Sequence, residues 1–66
     1  MRVVVNGTPR EVPDTLTLAE LLALLGLEQA PLVAEVSGQI VLPEAYATTV
    51  LKGDDRVELV RFVGGG

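Results

Sequence analysis

The segment VRFVGGG contains one chemically distinctive group, the α-carboxylate of Gly66 at the end of the sequence. Glycine has no Cβ, so a run of glycines can pass extended through a channel too narrow for side chains. Glycine also loses the most conformational entropy when it is fixed, so we expect residues 63–66 to be a flexible tail. On these residues alone, simple fraying and a functional tail that visits another protein's active site both remain open.

The other side chains offer little chemistry. The sequence has no histidine and no cysteine, and so lacks the commonest general base, the thiol nucleophile and the usual zinc ligands. The closest carboxylate pair, Asp54 and Asp55, follows Lys52-Gly53, and that composition is typical of a solvated turn. We therefore expect no catalytic residues, no metal site and no bound cofactor, and we interpret the chain as a protein that others bind.

The size and net charge of the chain limit the classes of partner that it could bind. A chain of 66 residues buries only about 60% of the surface that its unfolded form exposes, so a large cleft is not expected. The net charge of −4, from nine acidic and five basic residues, argues against nucleic acid and favours a basic protein partner. Neither a signal peptide nor an apolar run of about 18 residues is present, which predicts a soluble cytoplasmic protein without membrane contact.

The first half of the chain predicts a hairpin and one helix. Residues 2–5 and 10–12 are apolar or β-favouring and flank Asn6-Gly7, a pair that suits a tight turn. Thr17 and Glu20 have the spacing of a capping box, and Gly26 stands where a left-handed residue would end the helix. The helix then presents one apolar face, formed by Leu18, Leu21, Leu22 and Leu25.

The second half predicts another hairpin and a final strand. Residues 32–42 form two strands joined at Ser37-Gly38, and an irregular crossing with one helical turn follows Pro43. Tyr46 is expected to be a packing residue in that crossing. Residues 56–62 alternate as a strand with Val57 and Leu59 toward the helix.

The opposite side of that last strand carries Val60 and Phe62. A purely solvated face would not ordinarily carry two such large apolar side chains at the end of the last strand, and a second small core beneath a loop would account for them. If the first and last strands are parallel central neighbours, the fold class is α+β. The architecture is then a ubiquitin-like β-grasp roll over residues 1–62, a mixed four- to five-stranded sheet with one main helix on one face. Antiparallel arrangements remain open, because periodicity does not fix strand order.

Four segments together resemble the ThiS family of sulfur carrier proteins in thiamine biosynthesis. These are VNG, TLAELLALLGL, VAEVSGQIVLPEAY and LKGDDRVELVRFVGGG, and the resemblance covers essentially all 66 residues. It implies that a ThiF-like, E1-type adenylating enzyme spends ATP, with magnesium, to convert the terminal carboxylate into an acyl-adenylate. Sulfur from a persulfide donor then displaces AMP, and the resulting thiocarboxylate supplies sulfur to thiazole synthase (ThiG-like).

The resemblance also implies roles for individual residues. Gly66 would be the modified residue, Val63, Gly64 and Gly65 the tail threaded into the partner, and Val60 and Phe62 the docking residues. The chain would be a protein co-substrate and not an enzyme. Two alternatives remain open: a sulfur carrier for molybdopterin, tRNA thiolation or an amino-acid pathway on the same fold, and a β-grasp module that merely binds a protein or RNA.

Overall fold

A computed structural model describes residues 1–62 of the chain. The described residues form five strands, one α-helix and one 3-10 turn, in the predicted order. The elements are β1 (Arg2–Val5), β2 (Thr8–Glu11), α1 (Leu18–Leu24), β3 (Leu32–Val36), β4 (Gln39–Val41), the 3-10 turn Pro43–Ala45, and β5 (Arg56–Arg61). The mixed five-stranded sheet with one helix confirms the predicted β-grasp architecture.

Both hairpins turn through two residues that have positive φ. Asn6 and Gly7 have φ values of 48° and 82°, and Ser37 and Gly38 have values of 50° and 87°. Positive φ at both central positions is the type I′ geometry, whose twist matches that of the flanking strands. Pairing therefore resumes directly at Thr8, opposite Val5. For this reason β2 begins two residues earlier than the sequence predicted, and it ends at Glu11 instead of Val12.

Helix α1 has the predicted caps at both ends. The Thr17 Oγ1 accepts from the Glu20 amide at 3.1 Å, and the Thr17 amide donates to the Glu20 carboxylate at 2.8 Å, which completes a capping box. At the other end, the Gly26 amide donates to Ala23 O and the Leu27 amide to Leu22 O. With Gly26 at a φ of 73°, these bonds form a Schellman motif, so the helix stops at a defined residue.

The sheet order is β2-β1-β5-β3-β4. Strands β1 and β5 pair in parallel, with Val4 opposite Arg56 and Val5 opposite Val57, and the other three pairings are antiparallel. The expectation that the first and last strands are parallel central neighbours is confirmed. The consequence for the site is that β5, the strand leading to the glycines, is held by a neighbour on each side.

The core lies between the helix and one face of the sheet. Val57 and Leu59 lie on this face with 0% and 7% exposure, as the alternation of β5 predicted. Tyr46 is half-buried and packs against the core, which confirms it as a packing residue. The buried hydrophobic side chains are all aliphatic: Val3, Val5, Leu16, Leu18, Leu21, Leu22, Leu32, Ala34, Leu51, Val57 and Leu59.

The side chain of Asn6 extends the pairing of the two central strands. Its Nδ2 donates to Leu59 O at 3.2 Å, and its Oδ1 accepts from the Leu59 amide at 2.8 Å. The side-chain amide of Asn6 thus makes the two hydrogen bonds that the backbone of a further β1 residue would make, although β1 has already ended at Val5. No sequence pattern predicted this contact, because it joins residues 53 positions apart.

Replacing Asn6 tests the contribution of this bridge. Asn6→Gly keeps a residue that adopts positive φ and removes both hydrogen bonds, so we expect a loss of about 1 to 2 kcal/mol in the free energy of unfolding. Urea denaturation measures this loss. Ser37→Gly is the matched control, because Ser37 has the same turn position and a side chain bonded only at the surface, to Asp55 at 3.1 Å. Equal losses in the two variants would contradict the role given to Asn6.

The α-helix among residues 1–62, α1, has seven residues, fewer than the roughly 18 that a membrane-spanning helix needs.

Candidate functional site

The predicted tail, Val63 to Gly66, lies outside the described residues, so the candidate site is described up to Phe62. Its base is the end of β5. There β3 lies antiparallel to β5, with Leu32 opposite Arg61 and Val33 opposite Val60. Pairing with β3 therefore fixes the backbone of β5 as far as Arg61, the residue before Phe62.

Val60 lies on the sheet face opposite the helix. Its neighbours along the strand, Leu59 and Val57, define the helix side by their burial, and side chains alternate along a strand. Val60 is 60% exposed, and its cross-strand partner Val33 is half-buried on the same face. The two valines form a small apolar patch at the end of this face.

Phe62 lies one residue beyond β5, which ends at Arg61 and not at the predicted Phe62. Its amide still donates to Pro31 O at 3.1 Å, so one further backbone bond continues the pairing. The residue lines a shallow groove with Pro31, Pro43 and Tyr46, beside the 3-10 turn. Its side chain is 59% exposed. Residues 1–62 therefore bury neither Val60 nor Phe62, and the alternative of a second small core has no support among them.

Two carboxylates stand opposite each other on the same open face. Glu35 of β3 pairs with Glu58 of β5, and Ile40 of β4 lies on the other side of Glu35. In the described part of the chain, the ion pairs within 4 Å join Arg2 to Asp54 and the Met1 amine to Asp14. Neither includes Glu35 or Glu58. Sequence reasoning missed this pair, because only the register of β3 against β5 brings the two residues together.

Asp54 and Asp55 hold their own turn. The Asp55 carboxylate accepts from the Lys52 amide at 2.7 Å and from the Ser37 hydroxyl at 3.1 Å. Asp54 accepts from the Arg2 guanidinium at 3.3 Å. Their role as turn residues is thus confirmed, and among residues 1–62 no group of three acidic, histidine or cysteine side chains could hold a metal ion.

Comparison with known proteins covers the residues beyond Phe62 as well. The sequence model of the ThiS family matches residues 3–66, which include the glycines. Two proteins named thiazole synthase, from Paramagnetospirillum magneticum and Magnetococcus marinus, are 33% and 35% identical over all 66 residues of this chain. The chain spans a fifth of the length of each of these relatives.

Two solved structures have the same fold over the whole chain. The crystal structure of the thiamine biosynthesis protein ThiS from Geobacter metallireducens has a TM-score of 0.85 and 38% identity, with all of both chains covered. The solution structure of a thiamine biosynthesis protein from the same organism has a TM-score of 0.81 and 38% identity, covering all of this chain and 88% of the other. The similarity is therefore one of sequence and of fold.

Proposed function

This chain belongs to the ThiS family, and from that premise we propose that it is a sulfur carrier protein of thiamine biosynthesis. The observation that carries the proposal is the family match through residue 66, which joins the glycine segment to a β-grasp sheet. The names of the relatives, a thiamine biosynthesis protein and two thiazole synthases, favour thiamine over molybdopterin or tRNA as the destination of the sulfur.

The reacting group of the proposal is the carboxylate of Gly66. A carboxylate is a poor electrophile until one of its oxygens becomes part of a good leaving group. A ThiF-like, E1-type enzyme would supply that group from ATP and magnesium, forming the acyl-adenylate and releasing pyrophosphate. The terminal sulfur of a persulfide then attacks the carbonyl carbon, AMP leaves, and cleavage of the sulfur–sulfur bond by a thiol frees the thiocarboxylate. The chain itself would be the co-substrate, and the catalysis would belong to its partners.

The length of the tail dictates close docking. Residues 63–66 extend at most about 14 Å beyond Phe62, since an extended residue spans about 3.3 to 3.6 Å. A partner that activates Gly66 in an active site below its own surface must therefore contact the end of β5. Val60 and Phe62 are the exposed apolar side chains at that end, and we assign docking to them. Val63, Gly64 and Gly65 would be the residues threaded into the partner.

Three partners and one location complete the proposal. Thiazole synthase is the acceptor of the sulfur, because the matching unit occurs inside proteins of that name. The adenylating enzyme acts before it, and a persulfide protein donates the sulfur. All of these steps would take place in the cytoplasm.

An intact-mass measurement tests the proposal. The purified protein is first shown to have a mass that ends at Gly66, and is then incubated with a ThiF-like enzyme, ATP, magnesium and a persulfide donor. We expect the mass to rise by the difference between sulfur and oxygen, with fragmentation placing the gain on Gly66. The same mixture without ATP is the control. An unchanged mass, with an adenylating enzyme that is active on another carrier, would overturn the assignment.

A further inference from the structure

One face of the sheet has no covering element among residues 1–62. The helix packs on the other face, where the core lies. The open face carries exposed apolar side chains on two strands, Val60 at 60% and Ile40 at 63% exposure. The half-buried Val33 lies opposite Val60, and Glu35 lies opposite Ile40. An apolar surface shared by neighbouring strands is typical of a protein-binding face.

The centre of this face carries two carboxylates, with Arg56 two positions before Glu58 on the same side of β5. Glu35 and Glu58 are cross-strand partners, and residues in such pairs have Cβ atoms about 5 Å apart. Like charges placed directly opposite each other destabilise a sheet, and within residues 1–62 no cation lies within 4 Å of either carboxylate. Neither carboxylate of the free protein is therefore paired with a cation at the middle of the open face.

A cationic side chain from outside would reverse this effect. The guanidinium of arginine is planar, always charged, and donates several hydrogen bonds in a fixed fork, so it can bind two neighbouring carboxylates at once. Its methylene stem is apolar and can lie along Val33 and Val60. The net charge of −4 adds a long-range attraction for a basic surface and disfavours nucleic acid.

We propose that thiazole synthase docks on this open face and places an arginine between Glu35 and Glu58, with an apolar side chain over Val33 and Val60. The inference rests on the proposed function for the identity of the partner. It deepens that function by making a carboxylate pair, in addition to the apolar residues near the tail, the recognition element. The carboxylate pair would fix the position of the partner on the sheet. That position has to be correct, because the short tail must reach the partner's active site.

Binding measured by calorimetry without ATP tests the proposal independently of sulfur transfer. Thiazole synthase is titrated with the wild-type protein, Glu35→Gln, Glu58→Gln and the double variant. We expect each single variant to weaken binding about tenfold, and the double variant to lose most of the salt dependence of the dissociation constant. Glu44→Gln is the matched control, because it removes the same charge from an exposed residue of the 3-10 turn and is expected to bind as the wild type does.

Thermal unfolding of the same variants separates docking from folding. Because relief of like-charge repulsion favours the sheet, the double variant is expected to be as stable as the wild type or more so. Unchanged binding by the double variant would overturn the proposal, as would weakened binding to the adenylating enzyme alone. If the wild-type protein gained no sulfur while the double variant still bound thiazole synthase more weakly, the carrier function would fail and the docking surface would stand.

Discussion

Gly66→Ala is expected to lower the rate of thiocarboxylate formation by at least about 100-fold, because a displacement of about 1 Å at a reacting centre has an effect of that size. The added Cβ would lie next to the reacting carbonyl carbon, in a channel that has to admit a backbone without side chains. The measurement is the initial rate of mass gain with the ThiF-like enzyme, ATP and the persulfide donor.

Stability and a second glycine provide the controls for this variant. The buried core lies within residues 1–62, so the melting temperature of Gly66→Ala should match that of the wild type. Gly53→Ala makes the same chemical change where a Cβ would meet no atom within 4 Å and where φ is not positive. This control should react at the wild-type rate. A comparable loss of rate in both variants, or a large loss of stability in Gly66→Ala, would contradict a role for the terminus in the reaction.

Leu21→Ala is expected to have the largest effect on folding. Leu21 is fully buried on the face of α1 that packs on the sheet. Truncating a buried leucine costs about 3 kcal/mol or more, because apolar contact is lost and a cavity remains. For a domain of this size that loss corresponds to a fall of about 20 °C in melting temperature, which circular dichroism or calorimetry would measure.

The same helix supplies the matched control. Leu24 is in α1 as well, but it is 62% exposed. Leu24→Ala removes the same atoms, keeps helix propensity high and should change stability by less than about 0.5 kcal/mol. If the two variants melted together, α1 would not be the element that closes the core.

Local patterns predicted most of the fold, because each such element is determined by residues close together in the chain. The capping box of Thr17 and Glu20, the stop at Gly26 and the two hairpin turns all depend on contacts within a few residues. Strand boundaries were less accurate at Glu11 and Arg61, because pairing with a neighbouring strand decides where a strand ends. The parallel pairing of the first and last strands was expected, but two long-range side-chain contacts escaped prediction. The bridge from Asn6 to Leu59 and the Glu35–Glu58 pair depend on register.

The candidate site was predicted in a different way. Alternation along the last strand placed Val57 and Leu59 inside and Val60 outside, which is a property of any strand with one covered face. The reaction at Gly66 came from the resemblance of LKGDDRVELVRFVGGG to a family motif. Glycines alone could not distinguish a functional tail from fraying, because both require only the lack of a side chain. The groove beside Phe62 depends on the path of residues 43–46, which has no regular periodicity.

Because β5 lies between β1 and β3, the chain can complete its sheet only after the last strand has been translated. A nascent chain that stops before Arg56 lacks the strand that joins the two hairpins, so each hairpin has an unpaired edge and no completed sheet. Such a fragment also lacks the residues that would carry sulfur. Folding therefore depends on translation through the last strand, and proteases that degrade unfolded protein would remove chains that stop before it.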